Sequence, residues 1–120
     1  MDAWVEVRRE ADGELLGYVR PEPDGRWAAL TVFGGVLAAV DTRQEATALV
    51  ERRGLAALAE RWHHRRRGTD DWRIVLVAEA WPGRARLVEG WYSLPGSATF
   101  ELTAADLAAG DELVLDAPPD

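Results

Sequence analysis

The stretch "ERWHHRRRGTDDWR", residues 60–73, gathers the side chains of this chain best suited to chemistry. It holds both histidines (His63 and His64), three consecutive arginines (Arg65, Arg66 and Arg67), the pair Asp70 and Asp71, and two of the six tryptophans. Such a mixture admits three chemistries. Imidazoles with carboxylates could ligate a metal, arginines beside an aromatic ring could clamp a nucleic-acid strand, and a histidine next to an aspartate could move protons.

Spacing argues against the first and the last. Imidazoles that share an ion on a helix sit three or four residues apart, whereas adjacent His63 and His64 would point about 100° apart. Ser93 and Ser97 lie outside any G-x-S-x-G pattern. The carboxylate pairs Asp70/Asp71 and Asp111/Glu112 fall at turns or helix ends, where acids serve solvation and capping. Gly34-Gly35 leads into a strand, not into the helix N-terminus that a phosphate loop requires. The chain has no cysteine and no lysine, which excludes disulfides, thiolate ligands, Schiff bases and a P-loop lysine. The expectation is a chain with no catalytic residues, no metal and no cofactor.

Charge bears on the nucleic-acid reading. The formal net charge is −7, but residues 43–73 carry eight arginines against five acids, and the two flanking segments are acidic. One basic element on an acidic body favours contact with another protein or with a second copy. The alternative is nucleic-acid binding through residues 61–73, with Arg52 and Arg53 assisting; the acidic pI of about 4.8 opposes it. The candidate interaction surface is Arg61, His64, Arg65, Arg66, Arg67 and Arg73. Trp4 shares a strand face with Glu6 and Arg8, and Trp81 adjoins a Pro-Gly turn, so both join it as exposed aromatics.

The elements that must position these residues follow from periodicity. "AWVEVRRE", "ELLGYVR", "RWAALTVF" and "VLAAV" read as four strands on short turns, an antiparallel meander. "DTRQEA" opens a helix with Thr42 and Glu45 as a capping box. Ala46, Leu49 and Val50 face about 150° away from Leu55, Leu58 and Trp62, so two helices, or one kinked at Gly54, are expected. The second would run from Leu55 to about Arg66, its last turn basic to match the helix dipole, and stop at Gly68. "WRIVLVAEA" and "ARLVEGWY" read as a hairpin pairing Glu79 with Arg86 and Val77 with Val88. "SLPGS" is a loop, "ATFEL" a strand, "TAAD" a capped short helix ended by Gly110, and "ELVLD" the last strand.

The fold class so read is α+β: a mostly antiparallel sheet with a four-stranded N-terminal meander, kinked or paired helices, then a second β-rich segment with a short helix. Residues 1–120 form a single domain, with 117–120 a frayed tail. The N-terminus lacks the basic and apolar regions of a signal peptide, and no apolar run approaches a membrane span, so a cytoplasmic location is expected.

Within this order, "DGRWAALTVFGGVLAAVDTRQEA", residues 24–46, resembles the strand–strand–helix segment of HicB-type antitoxins, where a D-G-aromatic strand leads to glycine and then T-x-x-E-A. The proline-glycine element usual between those strands is absent here. The resemblance implies a small protein-binding partner. With no coherent catalytic constellation, tryptophans near turns and a basic segment on an acidic remainder, the function expected is a non-catalytic accessory or regulatory domain that binds another protein or itself.

Overall fold

Alternating inward apolar residues build the strands of this chain, and the computed structural model describes residues 4–90 and 98–115. The strands are β1 (Val5–Arg8), β2 (Leu15–Pro21), β3 (Trp27–Leu30), β4 (Val36–Val40), β5 (Arg61–Arg65), β6 (Trp72–Trp81), β7 (Arg84–Glu89), β8 (Thr99–Thr103) and β9 (Glu112–Val114). The helices are α1 (Arg43–Arg53) and the short α2 (Ala104–Ala108). The strands form one curled sheet, a half-barrel, in the order β1-β2-β3-β4-β9-β5-β6-β7-β8. The sequence readings that fall on residues 91–97 (the strand end Trp91–Tyr92 and most of the "SLPGS" loop) and on the tail 117–120 lie outside the described residues.

The expected α+β class with kinked or paired helices is wrong: the chain is mostly β, with one substantial helix. The error lies at residues 55–66. After α1 the chain makes a single 3₁₀ turn, Ala56–Ala59, and enters β5. The Trp62 indole Nε1 donates to the Ala57 carbonyl at 3.0 Å, tying the turn to the strand that follows it. Leu55, Leu58 and Trp62 do all pack on the core, as their helical phase suggested, but they reach it from a turn and a strand. Gly54 is not a kink either. Its φ of −53° is helical, and a Cβ there would overlap the Leu16 carbonyl oxygen, so glycine lets the end of α1 lie directly on β2.

The core fills the concave side. Val50 and Ala46 of α1 meet Val7, Val19 and Ala29, while Trp62, Val75, Leu87 and Leu102 line the other half. Phe33, on the tight β3–β4 turn, reaches across and packs edge-on against Trp62 at 5.4 Å between ring centroids. That turn is pinned to the β6–β7 turn by the Gly83 N–H donating to the Val32 carbonyl at 2.8 Å. In the β6–β7 hairpin Glu79 faces Arg86, while a bulge after Val77 sets Val77 opposite Leu87 instead of Val88.

The sheet is joined at its centre by the last strand in the sequence. β9 lies antiparallel to β5 over three residues and parallel to β4 through Val36 and Val114. It thereby connects the β1–β4 meander to the β5–β8 meander.

Close approach of α1 to the sheet depends on Gly17 of β2, where a Cβ would overlap the Leu30 carbonyl oxygen and lie 2.8 Å from Val50 Cγ1. Because one of those neighbours is backbone, Gly17→Ala should lower stability by about 3 kcal/mol, the upper end for overpacking. Urea unfolding followed by tryptophan fluorescence measures this; an unchanged midpoint would show that α1 is not seated there.

Candidate functional site

As a strand, β5 sends alternate side chains to opposite faces. Trp62 and His64 are buried on the concave side, and Arg61, His63 and Arg65 lie on the convex side. The basic last helical turn inferred for His63–Arg67 therefore does not exist. What replaces it is a set of ties from residues 64–67 to residues 106–112. Arg65 Nε donates to the Glu112 carboxylate at 3.1 Å, Arg65 NH1 donates to the Thr69 carbonyl at 2.7 Å, and the guanidinium lies over the Trp72 ring. His64 Nε2 is 3.3 Å from Asp111 Oδ2, with both side chains more than nine-tenths buried. Asp111 Oδ1 accepts the Arg67 backbone N–H at 3.0 Å, and the Arg67 guanidinium is 3.7 Å from Asp106.

Most of the sequence-predicted arginines are thus matched by carboxylates. Arg73 pairs with Asp71 at 2.9 Å and with Glu89 at 3.7 Å. Arg66 is exposed and has no ion pair among the described residues. Arg61 is exposed at the start of β5, and Arg53 of α1 pairs with Glu60 at 3.0 Å. Of the aromatics, Trp4 does not stand free: its ring lies 5.2 Å from that of Tyr18. Trp81 is half-buried, with the Arg84 guanidinium 4.2 Å from its centroid. The structure therefore brings His64 and Arg66 together with Arg73 around one cavity and with Arg67 around another, whereas Arg65 faces the convex side and Trp4 and Trp81 lie outside both cavities.

Cavities of about 320 Å³ and 260 Å³ adjoin His64, and Arg66 lines both. Their remaining polar lining is of mixed sign, including Asp71, Arg73 and Glu89 in one and Asp106, Asp111 and Arg67 in the other. The Thr69 hydroxyl is already donated to the Arg66 carbonyl at 2.8 Å. His63 and His64 occupy opposite faces, so they do not share an ion, and the described residues contain no grouping of three or more metal-ligating side chains. No described helix is long and apolar enough to cross a membrane.

The convex face carries a feature that inspection of single strands does not show. Tyr18, Leu30, Val36, Val114, His63 and Ile74 are register partners from strand to strand, forming one row across β2, β3, β4, β9, β5 and β6. Five of the six are apolar or aromatic. Tyr18 and Leu30 are buried under Trp4, while the other four are half-exposed. A groove of about 450 Å³ lies over Val36 and Val114, walled by Leu107, Arg20 and Arg65. A second, of about 500 Å³, adjoins Ile74 and Trp72. In the middle of the row His63 Nδ1 is buried and has no hydrogen-bond partner. Leaving such a group unpaired costs roughly 1–3 kcal/mol.

Scans against protein-family models, curated proteins and solved structures return no match to this chain. The strand–strand–helix order of residues 24–46 is present as β3, β4 and α1, but no family model covers it.

The polar ties carry a pH signature through Asp106. The Thr103 backbone N–H, at 3.0 Å, holds its carboxyl below the usual aspartate range, helped by the Thr103 hydroxyl and by the nearby Arg67 and His64 and opposed by partial desolvation. A group whose folded pKa is depressed contributes stability above its unfolded pKa and loses it as the pH falls through the folded one. Stability should therefore hold down to about pH 5 and fall below pH 4. Asp106→Ala, which also removes half of the capping box on α2, should cost about 1 kcal/mol at pH 7 and flatten that acid limb. Thermal melts at pH 7, 4 and 3 measure both; parallel curves for the two proteins would refute the assignment.

Proposed function

We propose that this domain is a non-catalytic binding module that docks an apolar surface of another protein on the convex face of its sheet. The observation that carries the reading is the cross-sheet row from Tyr18 to Ile74, with His63 Nδ1 buried and unpaired in its middle. A sheet needs a cover wherever its face is apolar. On the concave side α1, the 3₁₀ turn and Phe33 supply it. On the convex side Trp4 covers the β2–β3 end of the row, and the β9–β6 end remains half-exposed.

His63 gives the surface its specificity. A ring nitrogen flanked by Val114 and Ile74 is a liability in the isolated chain, and it becomes an asset when a partner supplies the missing hydrogen bond. The matched charges of Arg65, Arg67 and Arg73 favour this reading over nucleic-acid binding, because arginines engaged with carboxylates have little charge left to displace phosphate counterions.

Substitutions at three positions test the proposal. His63→Leu should stabilise the isolated domain by about 1 kcal/mol, raising its melting temperature by a few degrees. The same change should weaken partner binding. A photo-cross-linking residue in place of Ile74 should capture that partner, while one in place of the exposed Ala48 on α1 should not. A His63→Leu protein that is less stable than wild type, or equal capture from both positions, would overturn the reading.

A further inference from the structure

We infer that β8 is a pairing edge for a second copy of this chain, a surface separate from the convex face. The two ends of the nine-stranded sheet differ. β1 is interrupted by a bulge at Val7/Arg8 and carries the Glu6–Arg8 ion pair, devices that discourage further strand addition. β8 is five residues long, free of proline, and pairs with β7 without a register shift. Among the described residues no strand lies beyond it.

In an antiparallel strand each residue sends its N–H and C=O to the same side, and successive residues alternate. The Glu89 N–H donates to the Ala98 carbonyl at 3.1 Å, so Ala98 faces β7, and Phe100 and Leu102 face it as well. Thr99, Glu101 and Thr103 therefore turn their backbone groups outward. The Thr103 N–H is already taken by the Asp106 carboxylate at 3.0 Å, which ends the usable edge. Thr99 and Glu101 are left with two donors and two acceptors.

A second copy satisfies all four in one register. Antiparallel pairing about a two-fold axis at Phe100 sets Thr99 of each chain opposite Glu101 of the other, giving both hydrogen bonds at each pair. It also sets Phe100 against its own copy as a non-hydrogen-bonded pair, where side chains approach most closely. Phe100 belongs to the core-facing row yet is only partly buried, and among the described residues no strand flanks it on that side. Shifting the axis to Glu101 would set two like charges opposite each other, and a shift of one residue would pair inward with outward side chains. Within the described strand, the Phe100-centred register avoids both faults and uses all four free groups, because the Thr103 N–H is already engaged. Each chain carries −7, so the contact should be weak and should tighten as salt screens the repulsion.

Sedimentation velocity on the whole chain from micromolar to millimolar concentration, in low and high salt, reads the association directly. The expected result is a reversible dimer that strengthens with salt, together with concentration-dependent protection of the Thr99 and Glu101 amides in hydrogen exchange. Glu101→Pro removes an outward N–H that the fold does not use, so it should keep the wild-type melting curve and weaken the dimer at least tenfold. Because the chain has no cysteine, mixed Thr99→Cys and Glu101→Cys proteins should cross-link to each other through a short bismaleimide more than either does to itself. A monomer throughout the range overturns the inference. So does a dimer that survives Glu101→Pro with unprotected Thr99 and Glu101 amides, or one abolished by Ile74→Arg instead. Protection of those amides only by an added extended peptide would assign the edge to a different partner.

Discussion

A nine-stranded sheet whose middle strand is the last in the sequence can close only when nearly the whole chain has been placed. β9 contributes three residues, and its register with β4 is the single pair Val36 and Val114, joined by the Leu115 N–H donating to the Val36 carbonyl at 3.0 Å. So short a strand brings little pairing energy of its own. It is held by side chains: Leu113, 1% exposed in the core, and the polar ties from His64, Arg65 and Arg67 to Asp111, Glu112 and Asp106. Ties from the basic cluster thus help to fix the C-terminal strand between two meanders.

That placement has a functional consequence. With β9 seated, β4 and β5 become parts of one surface, and the convex row from Tyr18 to Ile74 becomes continuous. Without it the row breaks between Val36 and His63. The surface proposed for binding therefore exists only in the folded chain, because residues 18, 63 and 114 are brought together by the sheet alone. A buried unpaired nitrogen in its centre is the local cost of that arrangement.

Local patterns were legible from the sequence, and long-range ones were not. The four N-terminal strands were readable because alternation and turn residues coincide there, and the Thr103–Asp106 capping box because three-residue spacing is local. The order of the strands was hidden, since nothing in "ELVLD" indicates that it inserts between β4 and β5. β5 was misread because "RWHHR" is short, charged and preceded by Leu55 and Leu58 at helical spacing, so a helix period fitted a turn and a strand by coincidence. Read as a strand, the same five residues put Trp62 and His64 on one side and His63 on the other. In the folded chain His64, Arg65 and Arg67 tie to carboxylates, Trp4 packs on Tyr18, and His63, Ile74 and Val114 share the convex row. No signal in the sequence singles out those three, because their relation is a cross-strand register.

Native-state hydrogen exchange in graded denaturant tests most directly whether β9 binds the two meanders into one cooperative unit. If it does, the amides of β9 should open with those of β3 and β6, with free energies that agree within about 1 kcal/mol. Exchange of β9 through a low-energy local opening, while β3 and β6 stay protected, would contradict the account and leave the convex row without its central support.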